Sequence, residues 1–317
     1  MFIRLPHKLI VILGPTASGK SELAVKLALQ LSSWQAKKLY EINGAEIISA
    51  DSRQVYKGLN IGSGKITKKE MKNVPHHLLD VASPKKTFTV SQYQKLAKKA
   101  LKKIIKKNKL PVICGGTGLY IDALIYGKEF PEVPPQLKLR KKLEKKSTEK
   151  LFKQLQKLDL RRAQNIDKHN RRRLIRALEI IITTKKPVPN IATIDSSNIS
   201  FAHILKIGIK KSPEKLKKLI AKRLKKRLKQ GLIKEVKNLH YKQNLSWQRL
   251  DNFGLEYRYI SRYLAGLISK TEMIQTLENE IYRYAKRQMT WFKKDKNIIW
   301  INSLQKAFSI IRDWLGL

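Results

Sequence analysis

The chain has 317 residues, about two domains' worth and enough for a sizeable core. Its 68 Lys and Arg against 24 Asp and Glu leave a formal charge of +44, an excess that repels itself and calls for polyanions, nucleic acid first. A 42% hydrophobic share excludes a disordered basic tail, and the single cysteine, Cys114, excludes a disulfide framework or multi-cysteine zinc site.

In chain order, short apolar runs predict buried strands at Lys8 to Leu13, Glu46 to Ser49, His77 to Val81, Leu110 to Cys114 and Ile204 to Ile209. A sixth candidate is Asn297 to Ile301. The run Leu9 to Leu13 is too short for a membrane span or a signal-peptide core, so a soluble, cytoplasmic protein without membrane attachment is expected. Amphipathic helices separate the runs. One, Leu96 to Lys107, has apolar pairs every fourth residue and lysines between them, so part of the charge lies on solvated helix faces. Near-continuous apolar strands alternating with helices predict an α/β fold, a parallel sheet covered on both faces. Between Lys128 and Ser200 the pattern changes. Pro131, Pro134 and Pro135 mark a boundary, and helical stretches follow with almost no strand signal until Pro187-Val188-Pro189. The expected division is 1–127 plus 201–317 as a sheet core with C-terminal helices, and 128–200 as an inserted all-helical domain.

Gly14-Pro15-Thr16-Ala17-Ser18-Gly19-Lys20-Ser21 matches G-x-x-x-x-G-K-[ST] between the first strand and a helical run from Glu22 to Leu31. Such a loop (a P-loop) curls backbone N–H groups around phosphate oxygens at a helix N-terminus. Lys20 would reach the outer phosphate and the Ser21 hydroxyl would ligate magnesium. A nucleotide-hydrolysing enzyme should also carry a strand ending in a magnesium-holding Asp. The strand at Leu110 ends instead in Gly115-Gly116-Thr117-Gly118, so phosphate binding without hydrolysis is expected.

The second strand ends in Ala50-Asp51-Ser52-Arg53-Gln54. Strand C-termini line the crevice of such a sheet, which puts Asp51 near the phosphate loop as a base or metal ligand, with a helix cap as the alternative. In the helix from Pro213, Arg223 and Arg227 fall on the apolar face with Leu216, Leu219 and Ile220. A guanidinium there needs an anion, either a phosphate or a core carboxylate. In His169 to Glu179, Leu174 and Leu178 share one face while Arg172, Arg176 and Glu179 lie opposite, which suits phosphate-backbone contact or a plain solvated face. Tyr282 to Phe292 interleaves basic and aromatic residues as RNA stacking would require, with Trp291 and Phe292 read as core.

Together with Ile48 to Tyr56, Gly58-Leu59-Asn60-Ile61-Gly62, Pro75 to Asp80, Gly115 to Tyr120, Arg172 to Glu179 and Ala285 to Trp291, the phosphate loop resembles the tRNA dimethylallyltransferase family over nearly the whole chain. The resemblance implies transfer of a dimethylallyl group from dimethylallyl diphosphate to N6 of the adenosine 3′ to the anticodon, in tRNAs reading codons that begin with U. It implies a Mg2+ cofactor, an inserted tRNA-binding domain, the anticodon stem-loop as partner, and a monomer. Asp51 then corresponds to the base. Lys20, Ser21, Thr16 and Arg223, with the rest of the loop from Gly14 to Gly19, correspond to the diphosphate and magnesium site. Thr117 and Arg140 match positions near the reacting base, with Lys138 as the alternative to Arg140. Asp51, Ser52, Arg53 and Gln54 match one tRNA-contacting stretch, and Arg172, Arg173, Leu174, Ile175 and Arg176 another. Three departures stand out: Ile61-Gly62-Ser63-Gly64-Lys65 where Ile-Gly-Thr-Ala-Lys is usual, an apparent two-residue extension at Phe253 to Arg258, and extra residues around Ser32 to Tyr40. The competing readings are a small-molecule phosphotransferase with the same loop and a non-catalytic RNA-binding NTPase.

Overall fold

Strands that are apolar on both faces must be covered on both faces, and the computed structural model builds this arrangement. It describes residues 8–32, 43–127, 130–131, 133–189 and 203–316. The extra residues at 33–40 and both edges of the expected insertion (128–129 and 190–202) lie outside them. The chain forms two compact units, Met1–Ile125 with Ser197–Leu317, and Tyr126–Ser196.

In the first unit, β1 (Lys8–Leu13), β2 (Ala45–Ala50), β3 (His76–His77), β4 (Leu110–Gly115), β5 (His203–Ile209) and β6 (Ile298–Ile301) form a six-stranded parallel sheet of order β3-β2-β4-β1-β5-β6. β1, β2 and β4 are buried throughout. The first-unit helices are α1 (Lys20–Leu31), α2 (Lys68–Met71), α3 (Val90–Lys106) and α4 (Gly118–Ile125) before the second unit.

The strand expected at His77 to Val81 is shorter than its apolar run. Leu78 and Asp80 adopt left-handed backbone (φ 64° and 57°), which ends pairing after His77, and Lys65 Nζ holds Asp80 Oδ1 at 2.5 Å.

The second unit is helical: α5 (Leu137–Glu144), α6 (Thr148–Leu158), α7 (Leu160–Gln164) and α8 (Arg171–Thr184). Leu143, Leu151, Leu155, Leu174 and Leu178 form its own apolar cluster. One correction concerns α8. Its charged face is not simply solvated, because Glu179 is completely buried. Its carboxylate accepts from Arg140 Nε and Nη2 (2.7 Å each), Arg176 Nη1 (2.6 Å) and the Gln136 backbone N–H (2.7 Å). A buried carboxylate is tolerated only when paired and hydrogen-bonded in this way. A second correction is that Leu174 and Ile175, expected to contact tRNA, are buried in this cluster. They pin the helix so that Arg172 and Arg173 are exposed.

After β5 the first unit resumes with α9 (Pro213–Lys229), α10 (Leu232–Tyr241), α11 (Trp247–Phe253), α12 (Leu255–Leu264), α13 (Lys270–Phe292) and, beyond β6, α14 (Leu304–Leu315). No described helix is long and apolar enough to cross a membrane.

At the start of β2 sits Glu46, fully buried. Burial alone would raise its pKa, but hydrogen bonds from Lys109, Lys107 and His77 override it and hold the carboxyl at about 2, against an ordinary 4.5. A depressed pKa contributes stability above the unfolded value that is lost as pH falls through the folded one. In urea unfolding, the wild type therefore loses stability more steeply than Glu46→Gln as pH is lowered from about 5 to 3; parallel curves would refute this.

Candidate active site

Parallel strands all end on one side, so the turns leaving β1, β2 and β4 emerge together. In the turn after β1, Gly14 (φ 154°), Ala17 (φ 62°) and Gly19 (φ 95°) depart from ordinary backbone, and α1 starts at Lys20 with no side chain capping its N-terminus. The first N–H groups of a helix so placed are anion donors. Ser18 Oγ is buried and has no partner among the described residues.

Among the described residues Lys20 Nζ reaches only the Pro15 carbonyl, at 3.1 Å. Burial lowers its pKa; nearby Arg223 and Arg227 push the same way, against Cys114 and Asp51. Arg223 Nη1 donates to Thr16 Oγ1 at 3.2 Å. Burial, then Arg227, pulls its pKa down to about 10, which still leaves it a cation at neutral pH. Among the described residues neither Lys20 nor Arg223 has a carboxylate partner. Arg227 differs, since its Nη1 pairs with Glu256 Oε1 at 2.7 Å. The two arginines of one apolar face thus divide: Arg227 takes the core carboxylate, and Arg223 is left for an anion. Beneath Ser21, burial pushes the Cys114 thiol up to about 11, so it stays neutral.

At the end of β2, Asp51 Oδ1 accepts from the backbone N–H groups of Arg53 (2.8 Å) and Gln54 (3.3 Å), while Oδ2 has no partner among the described residues. Base and cap readings are therefore compatible, one oxygen for each. From the turn after β4, the Thr117 N–H donates to the Ala50 carbonyl (3.1 Å) and its Oγ1 accepts from the Ser52 N–H (3.1 Å), joining that turn to Asp51. Arg53 Nε donates to the Phe253 carbonyl (2.6 Å), and Gln54 Nε2 donates to the carbonyl of Gly64 (3.2 Å), so both already act as internal struts.

The comparisons with known proteins decide which family this architecture belongs to. A family model described as IPP transferase matches residues 54–295. The tRNA dimethylallyltransferase of Acetivibrio thermocellus is 40% identical over 301 residues, covering 92% of this chain and 91% of that protein. The tRNA dimethylallyltransferase 2 of Treponema denticola is 41% identical over 302 residues, covering 95% and 96%. The chain belongs to the IPP transferase family. The full-length tRNA isopentenylpyrophosphate transferase of Bacillus halodurans has a similar structure, with a TM-score of 0.68 at 33% identity over 98% of this chain and 96% of that one. A eukaryotic dimethylallyltransferase crystallised acting on tRNA shares the fold, with a TM-score of 0.76 at 24% identity.

Within this IPP transferase, several residues that shape the site were not singled out from sequence. Glu235 accepts from the N–H groups of Asn60 (3.1 Å), Ile61 (2.7 Å) and Gly62 (3.0 Å) and from Tyr257 Oη (3.0 Å), while the Ser63 N–H donates to Tyr257 Oη (3.1 Å). This holds the 60–63 loop beside Arg227, whose Nη1 also donates to the Gly62 carbonyl. The departure at Gly64 has a local consequence: its φ is +62°, and a Cβ there would fall on the Arg223 and Arg227 guanidinium groups. In the apparent extension, Gly254 (φ 76°) starts α12, and Arg258 is tied to Asp251 Oδ2 at 3.1 Å. Gln288 is a further buried polar residue at the site. An isolated Glu235 in a helix carries no motif, and although Tyr257 and Gln288 lie within the stretches Phe253 to Arg258 and Ala285 to Trp291, neither had a role of its own from sequence. Arg140, in the helical unit, binds Glu179 through Nε and Nη2.

Calorimetry with inorganic diphosphate should show Arg223→Gln binding about 10- to 100-fold more weakly, the loss of one charge-assisted contact. Arg227→Gln should instead lower the melting temperature, because Glu256 loses its buried partner. Equal affinities for wild type and Arg223→Gln would contradict this assignment.

Proposed function

We propose that this chain, a tRNA dimethylallyltransferase by family, carries the dimethylallyl group of dimethylallyl diphosphate to N6 of the adenosine 3′ to the anticodon, acting in the cytoplasm on tRNAs that read codons beginning with U. The observation that carries the reading is the combination at one sheet edge of two cations, Lys20 and Arg223, without carboxylate partners among the described residues, and a carboxylate oxygen, Asp51 Oδ2, without a bond among them. The first pair suits a diphosphate and the second a proton.

In this reading the diphosphate lies against the backbone N–H groups of the second half of the 14–19 turn, Lys20, Arg223 and the Thr16 hydroxyl, the Thr16 N–H being held by Gln288. As the allylic C–O bond breaks, the leaving diphosphate gains charge, and preorganised donors and cations stabilise that charge more than the bound donor's. The adenine N6 forms the new C–N bond, and Asp51 Oδ2 takes the proton the amine loses. Thr117 keeps Asp51 in place through the Ser52 N–H.

The orphaned Ser18 Oγ and uncapped helix start suit Mg2+ with its diphosphate oxygens, Ser21 being the protein ligand; when bound, the ion neutralises leaving-group charge. An adenine in an anticodon loop must leave its stack to meet Asp51. Phosphate contacts fall to exposed Arg172 and Arg173 on α8, and to Lys286 and Arg287 on α13. The side chains of Arg53 and Gln54 brace the Asp51 turn, which is half-buried and faces RNA with the Asp51 to Gln54 stretch as a unit. The family resemblance gives Arg140 a role toward the reacting base, and within the helical unit Glu179 anchors its guanidinium. Phosphotransfer is disfavoured because β4 ends in Gly115, not a magnesium-holding aspartate.

Asp51→Asn preserves the oxygen that accepts from Arg53 and Gln54 but removes the base. With unmodified tRNA and labelled dimethylallyl diphosphate, turnover falls by a factor of about 100 or more while tRNA affinity is kept. Near-normal turnover would sink the role given to Asp51. Separately, Arg172→Ala with Arg173→Ala weakens tRNA binding and lowers its salt slope by about 1 to 2, measured by filter binding across salt concentrations. An unchanged slope would remove α8 from the RNA interface.

A further inference from the structure

On α13, directly after the exposed Lys286 and Arg287, lies Gln288, 6% exposed. Its side-chain amide is used at both ends. Oε1 accepts from the Thr16 N–H at 2.9 Å, in the turn after β1. Nε2 donates to the Gly116 carbonyl at 2.7 Å, in the turn after β4. β1 and β4 are neighbours in the sheet, and above their ends this amide bridges the two turns. The next residue along, Thr117, accepts from the Ser52 N–H, and Asp51 begins that same turn. Three hydrogen bonds and two peptide links therefore connect the diphosphate turn to the base: Thr16, Gln288, Gly116, Thr117, Ser52, Asp51.

The chemistry of this position is selective. One partner is a donor and the other an acceptor, so the bridging group must accept on one atom and donate from another. An amide does so without charge, whereas a carboxylate can only accept and an aliphatic side chain does neither. The fit leaves no slack, because a Cβ on Gly116 would run into Gln288 Nε2. A packing role alone would need neither this polarity nor two turns as partners.

We infer that Gln288 is a positioning residue for prenyl transfer: its amide sets the spacing between the turn that binds the leaving diphosphate and the turn that carries the base. The inference rests on the assignment of those two turns given above. It adds a requirement that the assignment lacks, namely that donor and base be held in register by a third element. Misplacement of reacting groups by an ångström is enough to cost about 100-fold in rate.

The test compares the full-length wild type with Gln288→Leu and Gln288→Glu. Single-turnover transfer from labelled dimethylallyl diphosphate to tRNA is measured from about pH 5.5 to 8.5, with tRNA affinity and melting temperature read alongside. Gln288→Leu should slow transfer about 10- to 100-fold at every pH, with tRNA affinity within about twofold. Gln288→Glu should match it at high pH. As the pH falls and the new carboxyl becomes neutral, that variant should recover relative to wild type at the same pH, since a protonated carboxyl both donates and accepts. Transfer by Gln288→Leu at the wild-type rate would overturn the inference. So would a Gln288→Glu to wild-type ratio that stays flat with pH, and this readout remains if the leucine variant fails to fold. Lys20→Ala and Asp51→Asn separate the two levels of argument. If they keep the rate, the site assignment itself falls; if they lose it while Gln288→Leu does not, only the role of Gln288 falls.

Discussion

A buried positive charge requires a negative one, and that requirement organises the active end of this sheet. Arg227 meets it within the fold, through Glu256. Among the described residues Lys20 and Arg223 meet only neutral oxygens, the Pro15 carbonyl and the Thr16 hydroxyl, although burial disfavours the charged form of each. Folding thus leaves a local charge imbalance of the kind a diphosphate corrects. The energetic cost of holding those cations is carried by the rest of the unit and offset when the anion arrives.

The surrounding structure keeps that imbalance in one place. Leu9, Ile10, Val11 and Ile12 of β1 are fully buried, which fixes where the 14–19 turn begins. The Glu235 carboxylate, taking three consecutive backbone N–H groups and the Tyr257 hydroxyl, fixes the 60–63 loop against Arg227. Glycine at 64 leaves room for both guanidinium groups to approach the backbone. In the helical unit a comparable logic runs with the charge sign reversed, since there a fully buried Glu179 gathers Arg140 and Arg176. The large excess of cations is therefore divided into a few pinned by buried carboxylates, a pair left for an anion, and many on solvated faces such as that of α3.

Most of the fold was legible in the sequence. The strands at Lys8, Ala45, Leu110, His203 and Ile298 came from apolar runs of the right length, and local β-branched content is what makes a central parallel strand. The strand at His77 was overestimated because Leu78 packs without pairing and Val81 is exposed: left-handed backbone at Leu78 and Asp80 is a tertiary choice, stabilised by Lys65, that no apolar run encodes. The same limit explains Glu179. Helical periodicity put it opposite Leu174 and Leu178, and only the approach of Arg140, about forty positions earlier, makes burial there tolerable.

By itself the sequence determined the motif-bearing groups, because a glycine-rich turn, its lysine and the aspartate after the second strand are local features whose spacing states their chemistry. It also named both arginines of α9 as needing anions, without saying which kind each would find. The tertiary structure made that choice by bringing Glu256 to Arg227 and, among the described residues, no carboxylate to Arg223. It likewise brought Gln288 between two turns lying more than a hundred and fifty residues away in the chain, on β1 and on β4. Hydrogen bonds between distant residues depend on where the backbone finally lies, and no spacing along the chain records that.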